Sequence, residues 1–276
     1  MRVRYLRRTV LYLIVIIVIF AISFPLFWLA IESFKPNTEL LLVPPTILPL
    51  KPTLENFVRV IEETDFLLWF RNSLICASFG TIIAVVLSAL CGYALARYKS
   101  KAFSTLSSGI LFAYMVPPIM LIIPMYLIMA SLELINDLLS VVIAYATFFT
   151  IFGTYLMEEF FETIPPEIEE AAKTDGAGTM VQFYKIALPL ALPGIIAVAL
   201  FSFINCWNEY LFAATFINVQ ALRLLPPALF IFRSGKVVMW DLLLTSSTLS
   251  IVPQILVFML VEKYFMKGFG AMALKG

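Results

Sequence analysis

Six uninterrupted apolar stretches, each at or above the length that crosses a bilayer, dictate what this chain can become. They run over residues 10–31, 73–96, 106–129, 138–157, 188–216 and 242–261. About 20 consecutive apolar residues wound as an α-helix match the hydrocarbon thickness, and a helix pairs its own backbone donors and acceptors there. A closed barrel needs alternation with a period of two, whereas these runs are continuous. Composition agrees. Hydrophobic residues make up 62% of the chain and charged ones 13%, against about 25% charged in a soluble domain. No soluble core can absorb that excess, because too much of a folded chain stays at its surface. The expectation is an all-α membrane protein with six transmembrane helices.

Several function classes fall away at this point. The net charge is +1, so nucleic acid and other acidic polymers are not implied as partners. There are no histidines, which removes the usual general base and the commonest metal ligand. Cys76, Cys91 and Cys206 sit inside apolar runs at unrelated spacings, and read as small buried hydrophobes rather than a disulfide frame or metal site. The amino-terminal basic cluster and its apolar run could suggest a signal peptide, but the run is too long and no small-x-small cleavage site follows. It reads as an uncleaved first span. With both termini on the cytoplasmic side, twelve basic residues fall on inner segments and seven on outer ones, the bias that cytoplasmic loops carry.

No repeat or compositional break marks a second soluble domain, so residues 1–276 read as one membrane domain. The outer segment from about 32 to 72 carries Pro36, Pro44, Pro45, Pro49 and Pro52, which favour extended structure. Leu54, Phe57, Val58 and Ile61 then recur at helical spacing. A helix lying at the membrane interface and a docking ledge both fit that pattern. Asp137 and Asp241 stand just before the fourth and sixth spans, where a carboxylate can cap the first turn.

The inner segment from about 158 to 187 has an order of its own. Pro165-Pro166 and the carboxylates Glu167, Glu169 and Glu170 suit a helix start. Gly176 falls where a helix stops. A second short helix is expected from about Thr179 to Ala187, with Met180, Phe183, Tyr184 and Ala187 as its apolar stripe. Pro189 and Pro193 mark the break before the fifth span. From these residues alone, an interfacial connector and a docking element for another protein are both open. Ala171 and Ala172 permit close approach, and Glu170 and Asp175 offer charge.

The spacing E-A-A, three residues, G, nine residues, I-x-L-P is met by Glu170, Ala171, Ala172, Gly176, Ile186, Leu188 and Pro189. It resembles the cytoplasmic signature loop of permease subunits of binding-protein-dependent ATP-binding-cassette importers. Ser33-Phe34-Lys35-Pro36, the run from Pro52 to Phe57, Asn72-Ser73, Trp207-Asn208-Glu209-Tyr210 and the ending Lys275-Gly276 resemble the carbohydrate, maltose-type branch. The likeness covers essentially the whole chain and is greatest to the shorter permease of the pair. It implies a type I importer permease fold with a cytoplasmic coupling helix. A permease core at 70–264 would follow a first span and extracytoplasmic segment at 1–69. It also implies partners: a second permease subunit, two cytoplasmic ATP-binding subunits and an extracytoplasmic solute-binding protein, in the cytoplasmic membrane. Carried over by position, Glu170, Ala171, Ala172, Asp175, Gly176, Ile186, Leu188 and Pro189 would couple to the ATPase. The chain holds no G-x-x-x-x-G-K-[ST] phosphate cradle, so ATP would be hydrolysed on a partner chain. No catalytic residue, metal or cofactor is expected here.

In the fifth span Ser202, Asn205, Asn208, Glu209 and Phe212 fall along one helical side, with Tyr210 adjacent. Polar groups at such depth usually face a cavity or a neighbouring helix. A carbohydrate path and interhelical hydrogen bonding both fit. Thr245 to Ser250 in the sixth span read as packing, and Tyr114, Pro117 and Pro118 as a kink in the third. The tail from Lys267 to Gly276 reads either as a disordered end or, by the resemblance, as an arm reaching between the ATPases. The expected function is inward movement of a sugar or polyol. The same machine carrying a glycerol phosphate, peptide or amino acid is the nearest alternative. An ion-driven secondary transporter would need inverted repeats and buried coupling carboxylates, for which Glu209 alone is a candidate.

Overall fold

The computed structural model describes the backbone of residues 2–233 and 238–273, and the side chains of residues 8–233 and 238–262. Every regular element among them is helical. In chain order these are α1 (Arg2–Ser33), α2 (Glu55–Glu62), α3 (Phe66–Arg97), α4 (Lys101–Tyr114), α5 (Ile122–Ser131), α6 (Leu138–Glu162), α7 (Pro166–Thr174), α8 (Thr179–Leu190), α9 (Leu192–Asn208), α10 (Leu211–Phe216) and α11 (Trp240–Ala273), with short turns between. Four of them, α1, α3, α6 and α11, are long and apolar enough to cross a bilayer, and two bent pairs bring the number to six.

Both bends fall at the expected prolines, Pro117-Pro118 and Pro189 with Pro193, while a break at Glu209–Tyr210 corrects the expectation of a continuous fifth span. The third bends by 97° between α4 and the helical stretch Pro118–Ser131. Pro117 and Pro118 lack an N–H, and each disfavours helical geometry in the residue before it. The fifth begins at Leu192 after a 75° bend from α8, then breaks again at Glu209–Tyr210 before α10. The sixth span starts at Trp240 and its backbone stays helical to Ala273, where a loose tail was one of the two readings. Leu274 to Gly276, which include the Lys275-Gly276 ending, lie outside the described residues.

The chain divides into two compact units. The first comprises Met1–Leu67 and Leu229–Val252. Its α1 is exposed along its apolar length within the chain, as befits a helix whose solvent is lipid or a neighbouring protein. The outer segment is held by a buried polar network. Lys35 donates to Glu32 Oε1 at 2.6 Å and to the Thr46 carbonyl at 2.5 Å. Asn56 Nδ2 donates to the carbonyls of Ser33 and Lys35. The Thr46 hydroxyl, with the backbone N–H groups of Leu50 and Lys51, holds the Glu39 carboxyl below its ordinary range. The stripe on α2 faces opposite to a core role: Leu54, Val58 and Ile61 are exposed, and Asn56 and Val60 are buried. Asn56 turns inward because two carbonyls need its amide. Asp241 is not an N-cap. It lies in the first turn of α11 and pairs with Arg59.

The second unit comprises Leu68–Ala228 and Pro253–Gly276. Asp137 does cap α6, accepting from Leu139 N at 2.8 Å. Asn136, at φ 63°, donates its N–H to the Phe216 carbonyl, and its amide oxygen accepts from Asn218 N and Val219 N. Cys76 and Cys206 are buried, whereas Cys91 is exposed on α3 and is not the buried hydrophobe its apolar surroundings suggested. Small residues let the helices close up. A Cβ added at Gly92 would stand 2.6 Å from Met157 Cβ and 2.8 Å from Glu158 N, so α3 and α6 touch there backbone to backbone. Replacing Gly92 by leucine is expected to cost about 1–3 kcal/mol or more by overpacking and to lower the melting temperature in detergent. Gly109→Ala, whose new methyl meets nothing within 4 Å, is the control and is expected not to lower it.

Candidate coupling surface and membrane cavity

α7 starts as its sequence requires, with Pro166 in the first turn beside Glu167 and Glu169. Its end is a Schellman motif: Ala177 N donates to the Ala172 carbonyl at 2.9 Å and Gly176 N to the Lys173 carbonyl at 3.0 Å. Gly176 has φ 87°, a conformation that costs other residues about 1–2 kcal/mol. The corner is therefore a glycine position by backbone geometry, with open space around it. α8 contains a π-helical turn over Phe183–Ala187. The expected stripe on α8 divides, with Phe183 and Ala187 buried and Met180 and Tyr184 exposed.

The predicted coupling residues are all exposed or half-buried within the chain. Glu170, Ala171, Asp175, Gly176 and Pro189 are exposed, and Ala172, Ile186 and Leu188 half-buried. On the same two helices Ile168, Met180, Val181 and Tyr184 are exposed apolar side chains. Glu170 is an acid left exposed among the described residues.

The inward face of α7 was not anticipated. Glu169 is buried, and its Oε1 accepts from Arg97 Nε at 2.9 Å and Nη2 at 2.7 Å. Its Oε2 accepts from the Tyr93 hydroxyl at 2.8 Å. Arg97 also donates to the carbonyls of Phe161 at 2.9 Å and Ile164 at 3.3 Å, which closes the carboxy-terminal end of α6. Beneath lies a core of Tyr93, Phe161, Phe183, Ala187 and Ala191 with their neighbours. Tyr93 packs against Phe161 and Phe183 at ring distances of 5.3 and 5.0 Å. Leaving one charge of such a pair alone costs about 3–5 kcal/mol. In the sequence Glu169 is one of two adjacent acids and Arg97 one of several basic residues at a span end. Only the 100° step between successive helical residues, set against a neighbour's position, separates them.

A cavity of about 470 Å³ lies within the second unit, lined by Asn205, Asn208, Glu209, Tyr210 and Phe212 together with rings such as Tyr114, Tyr145 and Phe148. Five of the six fifth-span candidates thus meet. Ser202 does not: it is fully buried and does not line the cavity. The helical period explains this, because Phe201, Asn205, Asn208 and Phe212 share a side that Ser202 leaves. Asn208 and Gln254 exchange amide hydrogen bonds at 3.3 and 3.2 Å. Glu209 accepts from Phe212 N at 2.9 Å and Ala213 N at 3.1 Å, capping α10.

A chain whose apolar helices reach membrane length singly or as bent pairs is a multi-pass membrane protein by its architecture. It belongs to the family described as "Binding-protein-dependent transport system inner membrane component", whose pattern matches residues 84–269. Among its relatives is the inner membrane ABC transporter permease protein YcjP of Escherichia coli, 31% identical over 92% of this chain and 91% of that one. Another is the trehalose/maltose transport system permease protein MalG of Thermococcus litoralis, 29% identical over the full length of both. The fold is also that of a chain in the crystal structure of a bacterial ABC transporter involved in alginate import, with a TM-score of 0.80, 22% identity, and 96% and 98% of the two chains covered. The family consists of membrane components of transport systems rather than enzymes.

The corner makes a direct prediction. Gly176→Ala is expected to destabilise the end of α7 by about 1–2 kcal/mol, and Gly176→Asn by less, since asparagine tolerates positive φ. Backbone amide exchange at residues 172–177 in detergent checks the order glycine, asparagine, alanine.

Proposed function

We propose that this chain is the permease subunit of an ATP-driven importer that carries a sugar or polyol inward by alternating access. The observation that carries the reading is the outward face of α7 and its glycine corner, where Glu170, Ala171, Asp175 and Gly176 stand uncovered beside half-buried Ala172. An acidic, small-residue surface of this kind suits a cleft lined by basic side chains on a nucleotide-hydrolysing partner. Ile186, Leu188 and Pro189 complete the loop at the start of the bend into α9.

The complex would hold a second permease subunit, two cytoplasmic ATP-binding subunits and an extracytoplasmic solute-binding protein. Both termini lie on the cytoplasmic side, which puts α7 and α8 there as well. Residues 70–264 form the permease core, after a first span and outer segment at 1–69. ATP is hydrolysed on the partner chains. The sugar-system names of relatives such as the trehalose/maltose permease MalG support the cargo class. The cavity lined by Asn205, Asn208, Glu209, Tyr210 and Phe212 supports it chemically, since amides and carboxylates bond hydroxyls and rings cover the apolar faces of sugars.

Glu170→Arg tests the reading in the assembled complex. Amounts in the membrane are expected to stay unchanged while nucleotide-driven uptake of labelled sugar falls on the order of tenfold or more, as for loss of a buried charge pair at an interface. A crosslinker placed at Glu170→Cys is expected to capture an ATP-binding subunit. Full uptake by Glu170→Arg, or capture of lipid alone, would contradict the proposal.

A further inference from the structure

Glu169 and Glu170 are consecutive, yet one points into the protein and the other out of it. A push on the outer acid therefore reaches the inner one within a single residue of helix. Glu169 is held by Arg97, the last residue of α3, and by Tyr93 one turn earlier. The same guanidinium grips the Phe161 and Ile164 carbonyls at the end of α6. Three separate elements thus converge on one side chain, in a fork that only arginine offers. Lysine's single ammonium has no planar geometry with which to reach a carboxylate and two carbonyls together.

We infer that Arg97 is the joint through which movement of α7 reaches the membrane helices, with Tyr93 and Glu169 as the clamp that closes it. This rests on reading α7 as the element an ATPase subunit grips. The polar joint is backed by an apolar one, because Phe183 and Ala187 of α8 pack on Tyr93 and Phe161. Two attachments of different chemistry hold the helix–corner–helix against α3 and α6 as one body. Arg97 and Glu169 are positioning residues here. Neither lines the cavity, and both act by making the displacement of the outer face equal to the displacement of the span ends. A weakened joint should let the ATPases turn over while the spans lag behind.

The test uses the full complex with its partner subunits in proteoliposomes, and reads sugar uptake per ATP hydrolysed. Glu169→Gln and Arg97→Lys are expected to assemble, to keep hydrolysing ATP, and to lose on the order of tenfold in that ratio, the size of coupling found between contacting residues. Tyr93→Phe removes one hydrogen bond and should lose less. Exchanging the charges, Arg97→Glu with Glu169→Arg, restores the pair but not the carbonyl contacts, and should recover part of the ratio. An unchanged ratio in Glu169→Gln and Arg97→Lys would overturn the joint, and so would uptake and hydrolysis falling in proportion, because that marks mere structural support. If the charge variants fail to accumulate, Tyr93→Phe decides on the same ratio. Uptake by the wild-type complex without ATP would sink the importer reading itself, and with it the joint.

Discussion

Inside a bilayer a backbone donor or acceptor without a partner costs several kcal/mol, and the placement of each break in these helices follows from that rule. At the third span Met115 N and Val116 N fall back on the Phe112 and Ala113 carbonyls, while Pro117 and Pro118 have no donor to lose. At the bend into α9, Ala191 N still reaches the Ala187 carbonyl at 2.8 Å. At Glu209 the side chain supplies the missing partners, accepting from Phe212 N and Ala213 N. Two of these breaks wall the same cavity, since Tyr114, Val116 and Pro118 line it together with Glu209, Tyr210 and Leu211. Irregular backbone at membrane depth is tolerated where it lines such a space. Those two breaks and the cavity are thus one feature.

The same economy governs the surface of α7 and α8. Their exposed groups are small, charged or apolar, among them Glu170, Ala171, Lys173, Asp175, Gly176 and Tyr184, and their buried ones include Glu169, Phe183 and Ala187. An isolated buried carboxylate would be costly, and here three donors from Arg97 and Tyr93 meet its two oxygens. That arrangement ties the element to α3 and α6 while Glu170 and Gly176 stay exposed among the described residues. Firm inner attachment and an uncovered outer face are both needed for a part that takes a push.

Much of this was legible in the residues. Run length gave six spans, since bilayer thickness leaves little choice, and the α7–Gly176–α8 order followed from proline, acid and glycine preferences at helix ends. The breaks were only half legible: Pro117-Pro118 announced a bend, but Glu209 looked like a polar residue of a continuous helix because nothing in its neighbours forbids one. Ser202 was misplaced beside Asn205 for a related reason, as the helical side was judged too broadly and Ser202 belongs with buried Cys206. The α2 stripe was read in the right period, and its exposure within the chain is what an interface helix or a docking ledge requires. Leu54, Val58 and Ile61 stay exposed because Asn56 is drawn inward by two carbonyls. The Arg97–Glu169 pair joins positions 72 residues apart in sequence, and no local pattern encodes a contact of that range.

The central claim is mechanical, and a distance measures it most directly. Spin labels at Tyr98, just beyond Arg97, and at Asp175, on the corner of α7, report whether the two move together in the assembled complex as nucleotide binds and is hydrolysed. The account predicts a Tyr98–Asp175 separation that stays constant through the cycle, while the separation of either label from one at Glu133 changes. A Tyr98–Asp175 separation that changes as much as those reference separations would contradict it.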